Sequence, residues 1–225
     1  MSTWAFVGDS VTAARRDPAC PDDLGRGWVA DVAGRLRAAD PAARVLNLGV
    51  SGDRLAGVRA RAVRDLAGAG ALVPGVVVTC AVGINDVRRA HLDERPLDVD
   101  AFAAGYAGLL DDVRAAVPGG GVRLVLLEPL LVPVDARRQG WVADVERVRA
   151  VVREAGAATG AVVVGGLGAL LAADAARTTT DGVHPTRAGH ALVAQAWWDR
   201  VVAVPGLLPG RPRGWDRLRP SRRTG

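Results

Sequence analysis

Five short apolar runs alternate along the chain with longer segments of helical period, and this alternation restricts the fold more than any other feature. The run at residues 76–81 is almost unbroken in its apolar character, which is typical of a strand buried on both faces of a parallel sheet. The predicted strands are residues 4–7, 45–48, 76–81, 124–127 and 162–164. Strands interleaved with helices predict an α/β fold of three layers, with a five-stranded parallel sheet between two layers of helices.

The helical segments and the loops between them follow from the same pattern. Helices are predicted at residues 28–38, 55–66, 100–117, 141–158 and 185–202, with Asp100 as the N-cap of the third. The segments 11–26, 87–99 and 128–140 are then the loops that select a ligand. Residues 128–134 mix apolar side chains with prolines, so we expect them to line an acyl pocket.

The basic residues are unevenly distributed. All 29 are arginine, against 24 acidic residues, which gives a net charge of +5 and excludes Schiff-base and Walker-lysine chemistry. Residues 209–225 hold six arginines and one aspartate, whereas residues 1–208 hold 23 arginines and 23 acidic residues. We therefore expect one folded domain at 1–208 and a flexible Arg/Pro-rich tail at 209–225. With few aromatic residues and no recognition motif, we expect no specific nucleic-acid partner.

Several classes of site are not expected. Cys20 and Cys80 are too few for a disulfide framework, so free thiols are expected. No C-x-x-C or H-E-x-x-H pattern occurs, so we expect no metal and no cofactor. Residues 66–85 lack charge, but a proline and four glycines interrupt them, which disfavours a membrane span. The first residues do not resemble a secretory signal, so a cytoplasmic location is expected.

Residues that offer a reactive side chain or a free backbone N–H group follow three of the predicted strands and precede the last helix. Ser10 follows the first strand, Gly52 the second and Asn85 the third, while Asp181 and His184 precede the last helix. In open α/β sheets, ligands bind at the carboxyl ends of the strands, so these residues are expected to meet there. A serine, a base, a carboxylate and amide donors are the groups that an acyl-transfer site requires.

The chemistry assigns each of these groups a role. Ser10 attacks a carbonyl carbon and His184 takes its proton, because imidazole accepts and returns a proton near neutral pH. Asp181 orients His184 and stabilises its protonated form. The amide of Asn85 and the backbone N–H groups of Gly52 and Ser10 are the candidate oxyanion donors. The glycine at 52 is expected to allow the backbone to approach the oxyanion closely.

These motifs resemble those of the SGNH hydrolases, the GDSL esterase/lipase family. The matching blocks are F-V-G-D-S-V-T at 6–12, N-L-G-V-S-G at 47–52, G-I-N-D at 83–86 and D-G-V-H-P at 181–185. The resemblance spans residues 4–202 and implies a flavodoxin-like sheet with Ser10, His184 and Asp181 as a catalytic triad. It also implies Ser10, Gly52 and Asn85 as the oxyanion hole. Val11 departs from the family leucine.

Some residues near these motifs have less defined roles. Arg54, where the family more often has a small hydroxyl residue, is a candidate for substrate binding or for a solvent-exposed pair with Asp53. His91 is a second candidate for substrate contact. His190 is expected at the surface or in packing. Asp9 and Asp86 are expected to accept hydrogen bonds in loops, and Trp197 and Trp198 to lie in the core. Arg15, Arg16, Arg88, Arg89, Arg137 and Arg138 lie in the predicted ligand-selecting loops.

Two alternatives to hydrolysis of an ester remain open at this stage. An acyltransferase with an alcohol acceptor uses the same residues, and a non-catalytic flavodoxin-like ligand-binding domain shares the strand pattern. The glycines at 25 and 27 fit a loose dinucleotide fingerprint but follow no strand, and the G-x-S-x-G motif of ordinary α/β-hydrolases is absent. We expect hydrolysis of a small or medium, somewhat polar ester. The sequence does not indicate an oligomeric state.

Overall fold

A single parallel sheet organises the molecule. The structure, a computed structural model, describes residues 1–20 and 22–208. The strands are β1 (Thr3–Gly8), β2 (Arg44–Gly49), β3 (Val77–Ala81), β4 (Arg123–Leu127) and β5 (Val162–Val164). They pair in the order β2-β1-β3-β4-β5, and every pair is parallel. This is the strand order of flavodoxin-like folds, so the predicted architecture is confirmed.

Helices cover both faces of the sheet and form the two outer layers. The helices are α1 (Ser10–Ala13), α2 (Trp28–Ala39), α3 (Leu55–Gly68), α4 (Ile84–Leu92), α5 (Val99–Ala116), α6 (Ala136–Thr159), α7 (Leu167–Ala172), α8 (Ala175–Thr178) and α9 (Arg187–Val202). The layer on one face contains α3, α4, α5 and α6, and the layer on the other contains α2, α7 and α9. Thus the parallel strands are shielded from solvent on both sides, as their apolar character requires.

Successive side chains of β1 point to opposite faces of the sheet, so they pack into two hydrophobic cores, one on each face. Ala5 and Val7 pack on the side of α3 and α5, while Trp4 and Phe6 pack on the side of α2 and α9. Trp197 of α9 packs edge-on against Trp4, with ring centroids 5.7 Å apart, and its indole donates to Thr79 Oγ1 of β3 at 3.2 Å. Trp198 is also buried, so the predicted core position of both tryptophans on α9 is confirmed.

Several helix starts differ from the predicted ones because of their caps. Helix α6 begins at Ala136, five residues before the predicted start, because Asp135 accepts a hydrogen bond from the N–H of Arg138 at 2.7 Å. The N-cap of α5 is Asp98 rather than Asp100, and its carboxylate accepts from the N–H of Ala101 at 2.9 Å.

Two of the predicted loops are partly helical, because α4 extends into segment 87–99 and α6 begins within segment 128–140. Helix α4 occupies the first part of segment 87–99, because Val87 and Ala90 pack into the core. Residues 130–132 are buried in the core, and none of residues 128–134 lines the cavity that contains Ser10, so the structure gives no support to an acyl pocket lined by this segment. Cys80 is buried, Cys20 is exposed, and both are free, as expected.

The expected tail at residues 209–225 lies outside the described residues. Within the described part of the chain, no helix combines the length and apolar character needed to cross a bilayer.

Candidate active site

The predicted catalytic residues meet at one edge of the sheet. Strand β1 lies between β2 and β3, so the direction of the chain connections reverses there and leaves a crevice at the carboxyl ends of the strands. A cavity of about 660 Å³ opens at this position. Its walls include the five residues that the motifs singled out: Ser10, Gly52, Asn85, Asp181 and His184.

Three of these side chains form a continuous hydrogen-bonded chain. Ser10 Oγ lies 3.0 Å from His184 Nε2, and His184 Nδ1 lies 2.9 Å from Asp181 Oδ2. A carboxylate accepts a hydrogen bond, so the proton of a neutral His184 resides on Nδ1 and its Nε2 is free to accept from the serine hydroxyl. The arrangement can deprotonate Ser10 when an electrophile is bound.

The loop before α9 holds Asp181 and His184 in place. Asp181 Oδ1 accepts from the backbone N–H groups of Val183 at 3.0 Å and His184 at 2.8 Å. Burial alone acts to raise the pKa of Asp181, but the hydrogen bonds from Val183 and from the backbone and ring of His184 outweigh it and lower its pKa below the usual value. The carboxylate is therefore kept ionised beside the imidazole.

The candidate oxyanion donors line the same cavity. Gly52 has a φ of +83°, and a Cβ added there meets no protein atom within 4 Å, so its backbone conformation rather than close packing calls for glycine. Asn85 Nδ2 donates one hydrogen bond to the carbonyl of Asp53 at 2.9 Å. An amide nitrogen carries two hydrogens, so the second remains for an oxyanion.

A buried carboxyl group, that of Asp9, and a half-buried one, that of Asp86, shape the loops around Ser10. Asp9 Oδ1 accepts from the N–H of Val11 at 3.0 Å and caps α1, while Asp86 Oδ2 accepts from the N–H of Leu55 at 3.0 Å. Burial raises the pKa of Asp9 to about 7 and that of Asp86 to about 6. Both carboxylates accept backbone hydrogen bonds, as the sequence predicted.

Arg54 and His91 lie outside this cavity. Arg54 is the N-cap residue of α3 and lines a separate groove of about 340 Å³. Asp53 pairs with Arg61 at 2.6 Å, not with Arg54. His91 Nε2 lies 2.9 Å from Asp144 Oδ2, where it joins α4 to α6. The geometry therefore gives no support to substrate binding by either residue.

Other residues also line the cavity, and its four arginines lie in the segments that the sequence predicted to select a ligand. Ser51, Trp141 and His190 line it together with four arginines: Arg15, Arg88, Arg137 and Arg138. His190 is buried and its Nδ1 accepts from the N–H of Trp28 at 3.3 Å, so it caps the start of α2. Burial lowers the pKa of His190 to about 4. No group of His, Cys, Asp or Glu in residues 1–20 and 22–208 is arranged to hold a metal ion.

This flavodoxin-like sheet, with a Ser–His–Asp chain at its switch point, has the features of a serine esterase. Residues 6–192 match the model of the GDSL-like Lipase/Acylhydrolase family, which covers well over half of the chain. The chain belongs to this family, also called SGNH hydrolases, and is an esterase of that type. A comparison with curated proteins finds no match.

Solved structures agree with this assignment. LAE5, an alpha/beta hydrolase from the metagenome of Lake Arreo, is 26% identical with a TM-score of 0.73, covering 88% of this chain and 94% of its own. Axe2, an acetylxylan esterase from Geobacillus stearothermophilus, is 26% identical with a TM-score of 0.72, covering 88% and 93%. A putative GDSL-like lipase from Parabacteroides merdae shares the fold, with 24% identity, a TM-score of 0.78 and coverage of 88% and 94%.

Proposed function

We propose that this protein hydrolyses a small or medium, polar carboxylic ester through Ser10, His184 and Asp181. The observation that carries this proposal is the hydrogen-bonded chain of these three residues, with Ser10 and His184 in the wall of the 660 Å³ cavity. A serine hydroxyl is a weak nucleophile unless a base takes its proton, and here the base is in contact with it.

Acylation is the first half of the reaction. Ser10 Oγ attacks the carbonyl carbon while its proton passes to His184 Nε2, which gives a tetrahedral oxyanion and an imidazolium that Asp181 stabilises. The oxyanion collapses, the bond to the alcohol oxygen breaks, and His184 returns the proton to the departing alcohol. The acyl group is then an ester of Ser10.

Deacylation repeats these steps with water. His184 Nε2 takes a proton from a water molecule as the water oxygen attacks the acyl carbon. Collapse of the second oxyanion breaks the bond to Ser10 Oγ, which regains its proton from His184, and the carboxylic acid leaves. In both halves, the second amide hydrogen of Asn85 and the backbone N–H groups of Gly52 and Ser10 stabilise the oxyanion.

The cavity supports a small or medium polar substrate. Its volume lies within the range of roughly 300–1,000 Å³ in which proteins bind small molecules. Most of its lining side chains are polar or charged, which disfavours a long alkyl chain. The relative Axe2 is named an acetylxylan esterase, and acetyl is a small acyl group, in agreement with this size range.

A chain-length series tests the proposal. We expect kcat/KM for p-nitrophenyl esters to be highest for acetyl or butyryl and to fall through octanoyl to dodecanoyl. The Ser10→Ala variant should lose turnover of every ester, whereas Ser51→Ala keeps the Ser10–His184 pair and should retain turnover. Undiminished activity in Ser10→Ala excludes the mechanism, and an optimum at dodecanoyl excludes the proposed size.

The products of the reaction show whether water or an alcohol accepts the acyl group from Ser10. With water as the acceptor, the free acid should form in the same amount whether or not a small alcohol such as glycerol is added. Formation mainly of the glycerol ester contradicts hydrolysis and indicates acyl transfer.

A further inference from the structure

The residues that line the cavity carry an excess of positive charge, whereas the folded part of the chain as a whole has no net charge. Four arginines line it, and Asp181, which is already bound to His184, is the one carboxylate among its described lining residues. Residues 1–208 together hold 23 arginines and 23 acidic residues, so the average surface has no net charge. The concentration of arginine around Ser10 is therefore a local feature of the site.

Three of the four arginines lack a carboxylate partner. Arg138 is compensated, because its Nη1 lies 3.0 Å from Asp135 Oδ2 and its Nη2 lies 4.0 Å from Asp181 Oδ2. Arg15, Arg88 and Arg137 form no ion pair within the range that the structure describes. Their guanidinium groups remain available to a ligand.

Local structure directs these arginines to the cavity. Arg88 lies on α4 three residues after Asn85, which places the two on neighbouring positions of one helix face. The guanidinium carbon of Arg137 lies 5.6 Å from the ring centroid of Trp141, a contact that restricts the side chain.

The backbone at Arg15 is held in a rare conformation. Ala14 and Arg15 have φ angles of +43° and +66°, in the left-handed region that residues other than glycine seldom adopt, and both line the cavity. The N–H of Arg26 donates to the carbonyl of Ala14 at 2.8 Å and so helps to fix this turn. Such conformations persist where surrounding contacts over-determine them, and they cluster at binding sites.

We infer that the ester substrate carries an anionic group, such as a carboxylate. Arg15, Arg88 and Arg137 bind this group while Ser10 attacks the ester carbonyl. This inference rests on the proposed ester hydrolysis at the same site. A guanidinium offers a planar set of five donors that matches the two oxygens of a carboxylate, and such charge-assisted hydrogen bonds are stronger than neutral ones. The anionic group belongs either to the acyl part or to the alcohol part of the ester.

Matched pairs of esters test the charge and locate it. The first arm compares p-nitrophenyl hydrogen adipate with p-nitrophenyl adipamate, which replaces the acyl-side carboxylate by a neutral amide of the same shape. The second arm compares para-acetoxybenzoate with para-acetoxybenzamide, which makes the same change on the alcohol side. After correction for hydrolysis without enzyme, we expect kcat/KM to favour the anionic ester by about tenfold in one arm.

Variants then assign the preference to the cavity arginines. In that arm, Arg15→Gln, Arg88→Gln and Arg137→Gln should each lower the ratio of anionic to neutral kcat/KM by roughly twofold, and the triple variant should bring it near one. Arg37→Gln on α2 removes one exposed charge away from the cavity, and its ratio should equal that of the wild type. About 0.5 M salt should reduce the wild-type preference.

The possible failures are distinguishable. Equal rates within both pairs, a preference for the neutral esters, or a ratio that the triple variant does not change overturns the anion site. If hydrolysis of the neutral esters still depends on Ser10 in that case, the proposed esterase function stands. If hydrolysis of all four esters survives in Ser10→Ala, both proposals fall.

Discussion

Arg61 and Asp53 form an ion pair with an Nε to Oδ2 distance of 2.6 Å, which joins helix α3 to the loop that carries Gly52. The same guanidinium donates to the carbonyl oxygens of Leu48 at 2.7 Å and Gly8 at 2.9 Å, at the ends of β2 and β1. Arg61 is only 8% exposed. One buried cation therefore fixes the two strand ends from which the loops that carry Ser10 and Gly52 emerge.

Replacing Arg61 by methionine should destabilise the fold. The substitution leaves Asp53 and two carbonyl oxygens without their donor, and breaking a buried ion pair costs about 3–5 kcal/mol. Arg64→Met is the matched control, since Arg64 lies on the same helix with a 76% exposed side chain and should change stability by less than about 1 kcal/mol. Urea denaturation measures both free energies of unfolding, and equal values contradict this role for Arg61.

Asn85→Asp should impair catalysis more than binding. A carboxylate cannot donate the hydrogen bond that Asn85 offers to the oxyanion, and loss of one such donor lowers kcat by about 10²–10³-fold. Gln195→Glu makes the same amide-to-carboxylate change on the exposed face of α9 and should leave kcat near the wild-type value. A normal kcat for Asn85→Asp, with folding verified by circular dichroism, contradicts the proposed role.

The buried carboxyl of Asp9 should make stability fall as the pH rises from about 4 to 7. Burial raises its pKa from 3.8 to about 7, so in this window the folded state holds a proton that the unfolded state has released. Asp9→Asn keeps an acceptor for the Val11 N–H and removes this titration. The free energy of unfolding of the variant relative to wild type should therefore rise across the window, by up to roughly 4 kcal/mol. A constant difference contradicts the raised pKa.

His190 should make stability rise as the pH rises from about 4 to 6.5, which is opposite to the dependence expected for Asp9. Its pKa is lowered to about 4 by burial, whereas an unfolded histidine titrates at 6.5. Its contribution to stability is complete above pH 6.5 and is lost as the pH falls toward 4, because the unfolded state then binds the extra proton. His190→Asn retains an acceptor for the Trp28 N–H, so its unfolding free energy should depend less on pH between 4 and 6.5. Parallel pH profiles for the variant and wild type contradict this assignment.

The position of the catalytic residues follows from the sequence because parallel strands end at a common edge. Ser10, Gly52 and Asn85 each follow a strand whose apolar run is visible in the sequence, so their convergence needs only the order of the elements. Asp181 and His184 required the additional motif, because the loop between α8 and α9 has no recognisable periodicity.

Which side chains of segment 87–99 face the cavity depends on their angles around helix α4, and the sequence did not predict this helix. Segment 87–99 was expected to be a loop, but its first part is helical, and a helix turns about 100° per residue. Arg88 is therefore about 60° from Asn85 and faces the cavity, while His91 is about 120° away and faces Asp144. The sequence also gave no indication of the role of Arg61, because an arginine four residues before an aspartate on a helix has the pattern of an exposed residue.

The most direct test of the account is to identify the serine that reacts. Both Ser10 and Ser51 line the cavity, but the histidine contact belongs to Ser10. Treatment with a fluorophosphonate, followed by peptide mass spectrometry, should show one label on Ser10, and Ser10→Ala should remain unlabelled while Ser51→Ala is labelled like the wild type. A label on Ser51, or no label on a folded wild-type protein, contradicts the proposed mechanism.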